Sequence, residues 1–207
     1  MSNKIGQRDS SELIETLGSA GAGIPHFTRI AGQYALFPLL NRFISWERAW
    51  DIYDREGAKI VAMASGLTRE QRFERVLVPK LFGLEDNSRY YSVAMVVEHL
   101  LIVGKALAQR IPLLSRGVTL PDQVKIEDVK PYTEIDENIV EAFTDFMASY
   151  REKLNADVEN IHIDNTSDHP WFGPFNPKQW SILGMVHQIV HRRQIEAILE
   201  TLQQAES

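Results

Sequence analysis

Apolar residues recur at three- and four-residue steps along most of this chain, and four stretches hold the pattern long enough to be long helices. The first runs from position 28 to about 66, with Ile30, Tyr34, Phe37, Phe43, Trp46, Trp50 and Tyr53 in register; Pro38 is expected to kink or restart it. Thr68 and Gln71 form a capping-box signature for a shorter helix ending near Pro79. The second long helix is predicted over 89–110, ended by Ile111 and Pro112. The third covers 136–157, with Ile139, Phe143, Phe146, Met147, Tyr150 and Leu154 on one face. Asn176, Pro177 and Gln179 give the fourth a strong start: a cap, a proline at the first helical position and a reciprocal glutamine. It should reach about Gln203.

Between these stretches the punctuation changes. Gly18, Gly21, Gly23 and Pro25 make 1–27 read as an irregular N-terminal arm, with room for a turn or two over 11–17. Pro112, Gly117, Pro121 and Pro131 make 112–134 a long connection over the surface, and 160–175 reads as a loop. A connection of that length predicts two helices that are not simple antiparallel neighbours. No run of alternating apolar and polar residues predicts a strand. The reading is all-α: an arm over 1–27 and a four-helix bundle domain over 28–207.

The fourth helix carries the chemistry. His187 and His191 are one turn apart, so they share a face. At 100° per residue, Trp180, Leu183, Gly184, Gln194, Ile195 and Ile198 fall on their side. Gln188, Arg192, Arg193, Glu196 and Glu200 fall on the other. His99, in the second helix, has Met95, Ile102 and Val103 at its i−4, i+3 and i+4 positions. Three imidazoles thus point at apolar partners, and buried ring nitrogens need partners of their own. One divalent ion would satisfy all three and keep positions open for reaction. Ordinary core histidines remain the alternative. The run His187-Gln188-Ile189-Val190-His191 lacks the glutamate of zincin proteases, which excludes that peptidase class.

Composition narrows the field. The chain has 207 residues, is 44% apolar and contains no cysteine, so thiolate metal sites and cysteine nucleophiles are excluded. A net charge of −6 without a basic block argues against nucleic acid as a partner. The polar first fifteen residues do not read as a signal peptide. The most apolar stretch, 90–107, is broken by Glu98, His99 and Lys105 and does not read as a membrane span. A cytoplasmic protein without membrane partners is the expectation.

The segment from Arg89 through His99 and Leu100 resembles the second-helix motif of the DinB/YfiT-like superfamily, which often reads W-S-x-x-x-x-x-x-H-L. The segment His169-Pro170-Trp171-Phe172-Gly173, the Gln179-Trp180 pair and the run His187-x-x-x-His191-x-x-Gln194 resemble later landmarks of one branch. The resemblance covers about 28–203. It implies an up-down-down-up four-helix bundle, and a three-histidine metal site that maps onto His99, His187 and His191. It also implies nickel, zinc, iron or manganese as the ion, and a homodimer. This chain departs from the pattern at Val190, where many relatives have a further histidine, and at Tyr91, where tryptophan is usual.

Several members of that superfamily are enzymes using a low-molecular-weight thiol, such as bacillithiol or mycothiol. The resemblance therefore implies a metal-dependent transferase or hydrolase acting on a small molecule. Candidate catalytic groups are Glu98, Asp168 and His169, and Gln194 is a candidate to steady a ligand histidine or metal-bound water. The alternative is a non-catalytic metal-binding, stress-associated or interaction protein, with the aromatics between positions 27 and 53 lining a partner surface.

Overall fold

A computed structural model describes Leu17 and residues 23–120, 125–132 and 134–205. The arm expected over 1–27 lies outside these residues, apart from Leu17 and residues 23–27. The described chain is mostly helical. Short helix α1 (His26–Ala31) passes through a π-helical turn (Gly32–Leu36) into α2 (Phe37–Phe43). Pro38 has no N–H to donate and its ring crowds the preceding turn, so the helix widens there and does not stop. The real break comes later. Ile44 is extended, and Ser45 caps α3 (Trp46–Ser65) by accepting from the Arg48 N–H at 3.1 Å.

The Thr68–Gln71 capping box forms as expected, but α4 (Arg69–Phe73) ends well before Pro79. The next residues enter a strand pair that the sequence pattern did not predict: β1 (Val76–Leu77) against β2 (Tyr90–Tyr91). A second, β3 (Ser167–His169) against β4 (Gly173–Phe175), folds the 160–175 loop into a hairpin. Strands of two or three residues are too short to show alternation.

Helix α5 (Val93–Ser115) starts at Ser92, which caps it by accepting from the Met95 N–H; the expected start at Arg89 falls in a 3₁₀ turn. It continues through Pro112, whose carbonyl accepts from the Ser115 hydroxyl at 2.8 Å, and closes at Gly117 with φ +77°. Helix α6 (Ile139–Asp157) and helix α7 (Pro177–Ala205) match their expected spans closely. At the start of α7, Asn176 and Gln179 exchange hydrogen bonds, both at 2.9 Å.

The four long helices pack on one another: α3 chiefly on α7, and α5 on both α6 and α7. One apolar cluster is built on Ile60, Leu100, Phe143 and Ile198, a second on Trp50, Tyr53, Leu154 and Met185. Close helix approach is needed at Gly104, where a Cβ would sit 2.6 Å from Phe146 and 2.9 Å from the Tyr53 hydroxyl. Among the described residues, no helix is long and apolar enough to cross a membrane.

Two expectations about α7 need correction. Gln188, placed by the wheel on the polar side, is fully buried, because α7 packs on α3 as well as on α5, and its amide reaches the Met147 sulfur of α6. Arg192, on the same side, is held by the buried carboxylate of Glu56 on α3.

Candidate metal centre

The caps at Ser92 and Asn176 set the phase of α5 and α7, and that phase turns His99, His187 and His191 toward one another. The ring centroids are 4.9 Å (99–187), 4.6 Å (99–191) and 4.4 Å (187–191) apart. One nitrogen from each ring lies within 4.8 Å of the other two. Three histidines this close could hold a metal ion. The Nε2 atoms of His99 and His187 are 3.0 Å apart, and two nitrogens each about 2.1 Å from one ion sit about 3.0 Å apart at an octahedral angle and about 3.4 Å at a tetrahedral one.

The surroundings prepare these rings as ligands. Nδ1–H of His99 donates to the Val129 carbonyl at 2.6 Å. Nδ1–H of His191 donates to Oε1 of Gln194 at 2.7 Å. The Gln194 amide is oriented in turn by its Nε2–H₂, which donates to the Ser88 carbonyl at 2.7 Å. The two imidazole bonds put the proton on Nδ1 of His99 and of His191 and leave their Nε2 lone pairs as acceptors or ligands, that of His99 facing His187 Nε2. Burial pushes the His99 pKa down to about 4 and those of His187 and His191 well below the usual histidine range, with their mutual repulsion adding. At neutral pH all three are the uncharged, ligating form. The donor set fits a divalent ion.

The triad closes one end of a cavity of about 850 Å³, its open mouth included. Its long walls are apolar: Val103 and Leu107 from α5, and Leu183 and Trp180 from α7. At the far end the Arg110 guanidinium lies over the Trp180 ring, 5.3 Å from its centroid, and donates to the Ser167 hydroxyl at 2.9 Å. Glu85 and Lys130 pair in its wall.

The expected site residues fall in different places. Gln194 is fully buried against His191. His169 lines the cavity. The Glu98 carboxylate is turned the other way, where it accepts from the Tyr132 N–H at 2.8 Å, and burial raises its pKa. Asp168 is exposed in β3, opposite Pro174, and is not part of the cavity wall.

The sequence reading passed over Ser88, Val129, Lys130 and Arg110. Two of these act through backbone carbonyls, which no side-chain pattern reveals. Arg110 was legible: it stands eleven residues after His99, on the stripe that also carries Val103 and Ala106.

His169 carries its own pH signature. Its Nδ1 accepts from the Trp171 N–H at 3.2 Å, and its ring stacks on Phe172 with centroids 4.9 Å apart. Nδ1 as acceptor places the proton on Nε2. Burial, with the Arg110 charge adding, drives its pKa down to about 3. As pH falls below about 6.5, the unfolded chain takes up a proton that the folded ring refuses, so stability is lost with acidification. Between pH 7 and about 4.5, wild type should lose about 2 kcal/mol more than His169→Phe in urea unfolding. Equal losses would show that the ring is free to protonate in the folded state.

A scan against models of known families finds no match to this chain, and a search of curated proteins finds no significant relative.

Proposed function

We propose that this protein is a DinB-like, metal-dependent transferase acting on a small molecule, with His99, His187 and His191 as the ligands and a low-molecular-weight thiol as cosubstrate. The observation that carries this reading is the convergence of three uncharged imidazoles at the end of a cavity. A divalent ion bound there would supply Lewis acidity, lowering the pKa of a coordinated thiol or water.

Residue pairs across the core support the DinB-like up-down-down-up bundle. Tyr53 lies near Gly184, and Glu56 near Arg192, as α3 and α7 would meet when running in the same sense. His99 faces His187 and His191, while Arg110 faces Trp180, as expected if α5 and α7 run in opposite senses. Gly104 meets Phe146, and Ser115 accepts from the Glu159 N–H, as expected if α5 and α6 run in the same sense.

The chain's own groups divide the remaining work. Val129 and Gln194 fix the ligand rings. His169 presents Nε2–H as a neutral hydrogen-bond donor. Transfer is favoured over hydrolysis because hydrolysis needs a base aimed at water. Of the nearby carboxylates, Glu98 is turned away, and Glu85 is tied to Lys130 and the Gly23 N–H. A thiol of low pKa, its proton already given to solvent, needs no such base: the S–C bond forms as the bond from that carbon to its leaving group breaks, and the leaving group departs with the electron pair.

Transfer of a small thiol to electrophilic substrates, followed by mass spectrometry of the conjugate, tests this. His99→Ala, His187→Ala and His191→Ala should each lower the rate at least about a hundredfold, the scale on which loss of groups acting on the transition state is felt. Activity that survives all three substitutions overturns the mechanism.

A further inference from the structure

A second cavity of about 570 Å³, its open mouth included, lies beside the first, between α7 and the run from α1 through the π turn into α2. Thr28, Leu36, Phe37, Phe82, Val186 and Val190 line it. It shares Gly83, His169, Trp171, Leu183 and His187 with the first cavity, so the two meet beside the candidate metal ligands. Their chemistry differs. The larger cavity carries Glu85, Lys130 and Arg110, whereas among the described residues no charged one lines the smaller.

The π turn belongs to this chamber. Gly32 and Leu36, its first and last residues, are both in the wall. The backbone lies so close to Phe172 that a Cβ on Gly32 would sit 2.6 Å from that ring. Aromatic packing of Phe172 on Phe37 (4.7 Å between centroids) and on His169 fixes the floor. Rigid aromatic walls without charge select for an apolar occupant, because a charged group would lose its hydration with no partner to replace it.

We propose that this chamber is a second substrate arm, which takes the uncharged aryl or alkyl part of the electrophilic substrate. The charged cosubstrate occupies the larger arm. Two arms meeting at one centre suit a reaction that joins two molecules, and that catalytic meaning rests on the transferase reading above. Hydrocarbon binding in the chamber does not require the metal.

Binding is tested with the full chain, stripped of metal, by calorimetric titration with neutral alkylbenzenes from toluene to n-butylbenzene. Wild type should bind them with a negative heat-capacity change, the mark of apolar burial. Leu36→Trp fills the chamber and should weaken binding at least about tenfold, while Ala106→Trp, in the wall of the larger cavity alone, should leave it unchanged. Leu36→Ala enlarges the chamber and should shift preference toward the longer alkyl chains, which keeps the test open if the tryptophan variant misfolds. Absence of binding, or loss on Ala106→Trp in place of Leu36→Trp, overturns the proposal. Zinc titration of the same sample separates the two readings. Hydrocarbon bound without zinc uptake keeps the chamber and removes the metal centre; zinc bound without hydrocarbon does the reverse.

Discussion

The His187→Ala/His191→Ala double variant is expected to take up no stoichiometric zinc, nickel, iron or manganese, where wild type takes up close to one ion per chain. Both side chains come from one helix turn and face His99, so the variant keeps a single imidazole of the three. One neutral imidazole does not retain a divalent ion against water. The readout is metal content by mass spectrometry on tag-free protein, together with the thermal shift on adding metal. An ion that binds only the folded chain stabilises it by about 4 kcal/mol at a thousandfold excess over Kd, and the variant should show none of this. Gln194→Leu should fall between the two. It frees the His191 ring and leaves the Ser88 carbonyl without its partner, so affinity should drop by about 10- to 100-fold without disappearing. Full metal content in the double variant would remove the triad from the mechanism.

The triad was visible in the sequence because helical periodicity is a local signal, and each histidine sits in a clear apolar register. Long helices were legible for the same reason, and their starts at Asn176 and Thr68 because cap chemistry lies within four residues. What failed was whatever depends on neighbours distant in sequence. Gln188 looked polar-faced on a wheel that treats a helix as having one buried side, yet α7 packs on α3 as well as on α5, and Gln188 lies against Gly57 of α3. Pro112 looked like a stop, yet α5 runs on to Ser115, and the Ser115 hydroxyl and the Arg116 N–H donate to the Pro112 carbonyl. The stretch after it looked like a bare connection. It supplies Val129 and Lys130 to the site, and the Val129 contribution is a backbone carbonyl without any residue signature.

Replacing Glu56 by leucine should destabilise the protein by about 2–3 kcal/mol. The Glu56 side chain is almost wholly buried, yet three cations converge on it. Lys59 donates to Oε1 at 2.8 Å, Arg55 approaches the same oxygen at 3.5 Å, and Arg192 of α7 donates to Oε2. Burial opposes its charge, but the hydrogen bonds from Lys59 and Arg192 outweigh that and hold the carboxyl below the usual glutamate range. Loss of one partner of a buried pair costs about 3–5 kcal/mol. Here Arg192 keeps Glu196, and Lys59 and Arg55 are half-exposed, so the lower figure follows. The pH dependence has a definite sign. A depressed carboxyl contributes stability above the unfolded-state pKa, near 4.5, and loses it as pH falls toward the lower folded value. The gap between wild type and Glu56→Leu in urea unfolding should therefore be widest near neutrality and narrow as pH falls below about 4.5. Arg192→Leu in the Glu56→Leu background should cost less than it does alone, because the arginine has already lost its buried partner. Additive costs would mean that the α3–α7 tie lies in the apolar packing around Glu56 and not in its charge.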